Sequence, residues 1–196
     1  MPHIHTQPNQ HDMTVSAYIV RSVEGEWTCL VHYHRKMDIL MQIGGHIELN
    51  ETPWQAMEHE LAEESGYRLD ELSLLQFTSD RVEGTDNITH PVPFAMNTHL
   101  VGNEHFHSDS CYGFIAKAEP GSNVAEGEAS DLRWMTLANL RAGAASGEVL
   151  KDVVAIYDFL LSHIDELAQV PASSFSVNKP LVAGVTYKRG AAGETS

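Results

Sequence analysis

Cysteine is nearly absent: Cys29 and Cys111 are the only two among 196 residues, each isolated inside a strand-like segment. That count and spacing exclude a disulfide framework, and free thiols in a reducing cytoplasm are expected. No apolar run is long enough to span a bilayer, and no signal-peptide pattern is present. Neither secretion nor a membrane span is therefore expected. Cations are also scarce, with 12 lysines and arginines against 27 acids and a formal charge of −15. Proteins that hold polymeric DNA or RNA through its phosphates need the opposite balance, so that partner class is excluded. A small anionic substrate stays compatible, because bound metal ions reverse the charge of a cleft locally.

What is present is ordinary for a globular domain. Apolar residues make up 42% and charged residues 20%, and the length suits one domain with a sizeable core. The pattern predicts a flexible N-terminal segment over 1–12, one domain over 13–169 and a flexible tail over 170–196. Within the domain, strands are predicted over 13–20, 27–34, 38–43, 72–79, 90–100, 111–118 and 132–135. Residues 80–89 and 120–129 read as loops. Apolar residues at helical spacing, Val149, Val153, Ile156, Leu160, Ile164 and Leu167, predict a helix over 148–167. Strands interrupted by one earlier helix and closed by this one make an α/β sandwich.

The earlier helix carries the chemistry. Thr52 is a good N-cap, Pro53 suits the first helical position, and Gln55 completes a Thr-x-x-Gln capping box. Gly66 supplies the stop. Offsets of three and four residues place Glu60, Glu63 and Glu64 on one face, within about 6 Å of rise. Taken alone, such a face is more often merely solvated. Crowded carboxylates repel, however, and a hard divalent cation such as Mg²⁺ or Mn²⁺ relieves that repulsion.

The run from Gly45 through Glu51 to His59-Glu60-Leu61-Ala62-Glu63-Glu64-Ser65-Gly66-Tyr67 resembles the Nudix box, G-x5-E-x7-R-E-U-x-E-E-x-G-U, where U is a bulky apolar residue. His59 stands where the box has arginine, and Tyr67 is a mild departure at the last position. Gly44-Gly45-His46-Ile47-Glu48 and Asp131-Leu132-Arg133-Trp134-Met135-Thr136-Leu137 extend the resemblance over most of residues 13 to 165. It implies the Nudix fold, a mixed β-sheet sandwiched between helices in an α/β/α arrangement. It also implies a Mg²⁺- or Mn²⁺-dependent hydrolase that cuts a phosphoanhydride in a nucleoside diphosphate derivative.

By position, the resemblance makes Glu60, Glu63, Glu64 and the Gly45 carbonyl the metal ligands. In some members the general base is an acid of the box, in others a glutamate from a distant loop. Glu63 and Glu64 are thus the first choices here, with Glu126 and Glu128 as loop candidates. Glu51 has a structural role in the family, paired with the arginine that is His59 here. Histidine offers fewer donors than the guanidinium fork and titrates near neutrality. The resemblance leaves a homodimer open and does not name the substrate.

His105, His107 and Asp109 alternate, so on a strand they would share one face. Ordinary polar contacts are the default for such a set, with a second metal site or a substrate-side role as alternatives. Two other readings of the chain stand beside the hydrolase. One is a catalytically weak Nudix-like binding module, marked by His59. The other is a diphosphate isomerase of the isopentenyl-diphosphate isomerase type. That branch carries a cysteine soon after its glycines, and none lies between Gly44 and Gly66 here.

Overall fold

Strand β1 (His11–Val23) is the spine of the sheet, and its alternation decides which side chains meet on each face. The computed structural model describes residues 7–102, 105–126 and 131–178. Along one side, β1 runs parallel to β7 (His105–Ala116), in unbroken register from His11 opposite Phe106 to Val20 opposite Ile115. Its other side pairs antiparallel with β4 (Ile43–His46) and then with β2 (Glu26–His34). Strand β2 also pairs with β3 (Ile39–Met41) and β8 (Leu132–Thr136). Beyond β7 lie β6 (Ala95–Val101) and β5 (Leu72–Gln76), and β5 carries β9 (Ala168–Pro171).

Alternation along β1 builds two cores. Val15, Ala17 and Ile19 face helix α1 (Pro53–Glu60) and the turn after it, in one cluster with Trp54, Met57 and Leu61. Tyr18 and Val20 face the other way, toward α2 (Leu137–Ser146) and α3 (Lys151–His163), where Leu140, Val153, Tyr157 and Leu160 are buried. One mixed sheet between helices on both faces is the expected α/β/α sandwich. Among the described residues, no helix is long and apolar enough to cross a membrane.

Several elements differ from the sequence reading. Residues 11 and 12, placed in the N-terminal segment, already belong to β1, because parallel pairing with β7 extends the strand. No apolar periodicity marks residues 137–147, where the structure has α2. Its Thr136 cap and left-handed Gly147 are ordinary signals, but alanine and glycine dominate the helix and only Leu140 and Gly143 are buried. Strand β6 starts at Ala95 rather than His90, since Pro91 and Pro93 lack the N–H groups a ladder needs. Residues 170–175, placed in the tail, contribute to β9 and a following turn. Phe175 then packs edge-on against Trp54, with ring centroids 5.9 Å apart. Residues 1–6, 103–104, 127–130 and 179–196, with Glu128 among them, lie outside the described residues.

Candidate functional site

Local signals place α1 as its sequence requires. Thr52 Oγ1 accepts from the Gln55 N–H, the Thr52 N–H donates to Gln55 Oε1, and Pro53 opens the helix. Trp54 and Met57, both fully buried, clamp the inner face to the sheet. The helix does not continue as α through the acids. Leu61–Ser65 forms a π-helical turn, closed by Gly66 in the left-handed region at φ 74°. Such wide turns concentrate at functional sites because they re-aim side chains on a helix.

Here the turn divides the three acids. Glu60 and Glu64 are buried, at 1% and 7% exposure, and both point at the glycine pair of β4. The Gly44 N–H donates to Glu64 Oε2 at 2.9 Å. A Cβ at Gly45 would collide with Glu60 Oε1, so glycine is what lets that carboxylate lie against the strand. Gly44 has a second constraint: with φ 148° it packs so close to β1 that a Cβ would strike the Val15 carbonyl. Glu63 instead turns outward, where its Oε1 meets His59 Nε2 at 2.8 Å. Its carboxylate is half-exposed.

His59 also faces Glu51, with Nδ1 3.5 Å from Oε1, and Glu51 Oε2 accepts from the Glu48 N–H at 3.4 Å. One imidazole thus links Glu51 to Glu63. Partial burial pulls the His59 pKa down, but the Glu63 hydrogen bond and the charges of Glu63, Glu51 and Glu60 outweigh it and leave it raised. A raised folded-state pKa gives stability that is complete below the unfolded value and fades as pH rises through the folded one. His59→Arg keeps its charge throughout, so its melting temperature should gain on wild type as pH climbs from about 6 to about 8.5. Thermal melts in chelator across that range check this, and a gap that does not change with pH contradicts it.

Sequence spacing did not reveal His32, which approaches the acids from β2. Its Nε2 is 3.7 Å from Glu64 Oε2, and the residue is 3% exposed. Burial, helped by His34, lowers its pKa to about 4, so at neutral pH it is an uncharged neighbour rather than an ion-pair partner. Only the β2–β1–β4 pairing brings it near, and no local pattern marks it. The loop before residue 127 also closes on this region: the Ala125 N–H donates to the Glu63 carbonyl at 2.8 Å. Exposed Glu126 therefore follows a residue bonded to the acid turn.

His105, His107 and Asp109 do share one face of β7, but the structure separates them by partner. Asp109 accepts from Thr14 Oγ1 at 2.9 Å, the Cys111 thiol at 3.3 Å and Asn97 Nδ2 at 3.4 Å, a buried structural role. His105 and His107 lie instead beside Asp12 of β1 and His46 of β4. Burial, and the neighbouring His46, His99 and His105, lower the His107 pKa to about 4. A surface cavity of about 530 Å³, lined by His11, Thr98, Phe106 and Ser108, lies on the opposite side of β7 from His105 and His107.

The donor set at the glycine pair is made of oxygen. Two buried carboxylates converge on the glycines of β4, with a third on the exposed side. Mg²⁺ and Mn²⁺ select such a set, and the lack of a side chain at Gly45 lets the Glu60 carboxylate lie against the strand. The residues fit a hard divalent cation.

Comparison with known proteins agrees with this geometry. The family model described as NUDIX domain matches residues 10–153. No curated protein sequence matches the chain. Among solved structures, a NUDIX-family hydrolase from Clostridium perfringens superposes with a TM-score of 0.61 at 21% identity, covering 78% of this chain and 97% of that one. A C. elegans Ap4A hydrolase in a binary complex gives 0.58 at 14% identity, covering 79% and 98%. The NUDIX domain of Shewanella oneidensis NrtR, complexed with ADP ribose, gives 0.56 at 14% identity, covering 80% and 90%. With the family model matching most of its length and the box folded against the glycine pair, this chain belongs to the Nudix superfamily.

Proposed function

We propose that the protein is a Nudix pyrophosphohydrolase that cleaves a phosphoanhydride bond in a small nucleoside diphosphate derivative, using Mg²⁺ or Mn²⁺. The observation that carries this reading is the pair of buried carboxylates, Glu60 and Glu64, held against Gly44 and Gly45. A binding module has little use for two like charges in a buried corner, since they repel unless a cation joins them. Glu60, Glu64 and the Gly45 carbonyl would hold the cation, with Glu63 beside them. When bound, it would supply charge stabilisation for the attacking and leaving oxygens at phosphorus.

The remaining roles belong to side chains and backbone. The Gly44 N–H fixes the orientation of Glu64. Neutral His32 closes the inner side of the site against Glu64 without adding charge. His59 holds both Glu63 and Glu51, taking over the tethering that arginine performs in the usual box. For the general base, water reaches Glu63 more readily than Glu64, whose side chain is 9% exposed. A carboxylate bound tightly to a cation is also a weak base. Glu63 therefore leads, and exposed Glu126 is the loop alternative. Neighbours named for Ap4A hydrolysis and for an ADP-ribose complex support a nucleoside diphosphate moiety in the substrate.

The test is a panel of ADP-ribose, nucleotide sugars, dinucleoside polyphosphates and nucleoside triphosphates, each with Mg²⁺, Mn²⁺ or chelator. A phosphatase added afterwards reveals monoester products. Metal-dependent cleavage of one class is expected. Silence across the panel would leave binding without turnover as the better reading. On the substrate so found, Glu63→Gln should cost about 10²- to 10⁴-fold in turnover if it is the base, and Glu126→Gln far less. The reverse order would move the base to the loop.

A further inference from the structure

We infer that Asp12, His46, His105 and His107 form a second metal site, built for a transition ion of the zinc class. It lies on the sheet face opposite the box helix. In β1, Asp12 shares its face with Tyr18 and Val20, which pack toward α3, whereas Val15 and Ile19 pack toward α1. In β4, Gly45 turns to Glu60, so His46, the next residue, turns away from it. The two donor sets are therefore separated by the thickness of the sheet.

Strand register gathers the four side chains. Asp12 stands opposite His107 across the parallel β1–β7 pair, and His105 is the next residue along that face of β7. His46 stands opposite Thr14 on the other side of β1, one step along the same face from Asp12. His46 Nε2 and His105 Nε2 lie 3.7 and 3.8 Å from Asp12 Oδ2. His46 Nε2 and His107 Nε2 are 3.2 Å apart. The ligand atoms of Asp12, His105 and His107 all fall within 4.8 Å of one another.

A tetrahedral zinc ion with nitrogen and oxygen ligands at about 2.0–2.1 Å needs ligand atoms about 3.3 Å apart. The three distances above, 3.2, 3.7 and 3.8 Å, already bracket that spacing. Three imidazoles and one carboxylate also suit zinc, whereas Mg²⁺ prefers an all-oxygen shell. The side chains are largely buried, with His105 at 8% and Asp12 at 6% exposure. His99, exposed on β6 opposite His107, marks the open side of the cluster. Bound there, an ion would tie β4, β1 and β7 together at the residue next to Gly45. The inference stands whether or not the box acids are catalytic, since it uses none of them.

The experiment uses full-length protein without a polyhistidine tag. Metal content is measured by mass spectrometry as purified. After stripping with chelator, uptake of Zn²⁺, Co²⁺ and Mg²⁺ is followed by calorimetry and, for Co²⁺, by visible absorption. About one Zn²⁺ per chain is expected, with intense tetrahedral Co²⁺ bands and no uptake of Mg²⁺ at these residues. Zinc uptake should survive in Glu60→Gln/Glu64→Gln protein. In His105→Gln/His107→Gln, and separately in His46→Gln, affinity should fall by more than the about 10- to 100-fold typical of losing a group behind a ligand. Circular dichroism checks that these variants fold. Wild-type protein that binds neither Zn²⁺ nor Co²⁺ would overturn the site. So would weak, octahedral-type Co²⁺ bands, folded histidine variants with wild-type affinity, or zinc uptake that vanishes with the box acids.

Discussion

Glu64→Gln should lower metal-dependent turnover by at least about a hundredfold while leaving the fold intact. The amide oxygen can still accept from the Gly44 N–H, so the contact that orients residue 64 survives. What disappears is one of two negative charges in a buried corner, which relieves repulsion in the cation-free protein. A melting temperature equal to or above wild type in chelator is therefore expected, together with the loss of activity. Steady-state kinetics and thermal melts on the same preparation check both halves. Unchanged turnover would remove Glu64 from the metal ligands. A collapse in stability would make its role structural.

Trp54→Ala should destabilise the protein by about 3–5 kcal/mol, the range for deleting a large aromatic from a packed core. Trp54 is fully buried. Its ring lies near parallel to Phe114 at 6.1 Å and edge-on to Tyr112 at 5.5 Å and Phe175 at 5.9 Å. It thereby joins α1 to β7 and to the segment after β9. Because α1 leads directly into the acid turn, turnover measured well below the melting point should fall as well. Chemical denaturation reads the first effect, and a cost below about 1 kcal/mol would contradict this packing. Phe175 supplies a further comparison: removing it should cost less, since it is 9% exposed and packs at the margin of the same cluster.

The parts of the site that were legible in the sequence are those written locally. Thr52 and Gln55 form the capping box three residues apart, Pro53 opens the helix, and Gly66 ends it in the left-handed region, as the sequence signals. The spacing of Glu60 and Glu64 likewise places both on one inward face. Glu63 is where helix arithmetic stops being sufficient. The π-helical turn consists of ordinary helix formers, and tertiary contacts at Gly44, Gly45 and Ala125 decide which acids turn inward. The partners of His32, Asp12 and His46 could not be read, because strand register, not spacing, brings them to their neighbours. Asp109 shows the same limit from the other side. Alternation correctly put it on the face of His105 and His107, but Thr14 and Cys111 claim its carboxylate. Helix α2 escaped because a helix built on alanine and glycine leaves little apolar period to read.

The most direct test of the box as a cation site is a Mn²⁺ titration followed by the electron paramagnetic resonance signal of the free ion. It is best run in His105→Gln/His107→Gln protein, so that uptake at the histidine cluster does not contribute. Saturable Mn²⁺ binding is expected, with competition by Mg²⁺ and loss on adding Glu60→Gln and Glu64→Gln. Binding that persists without both carboxylates, or no binding while they are present, would contradict the assignment of Glu60 and Glu64 to the metal.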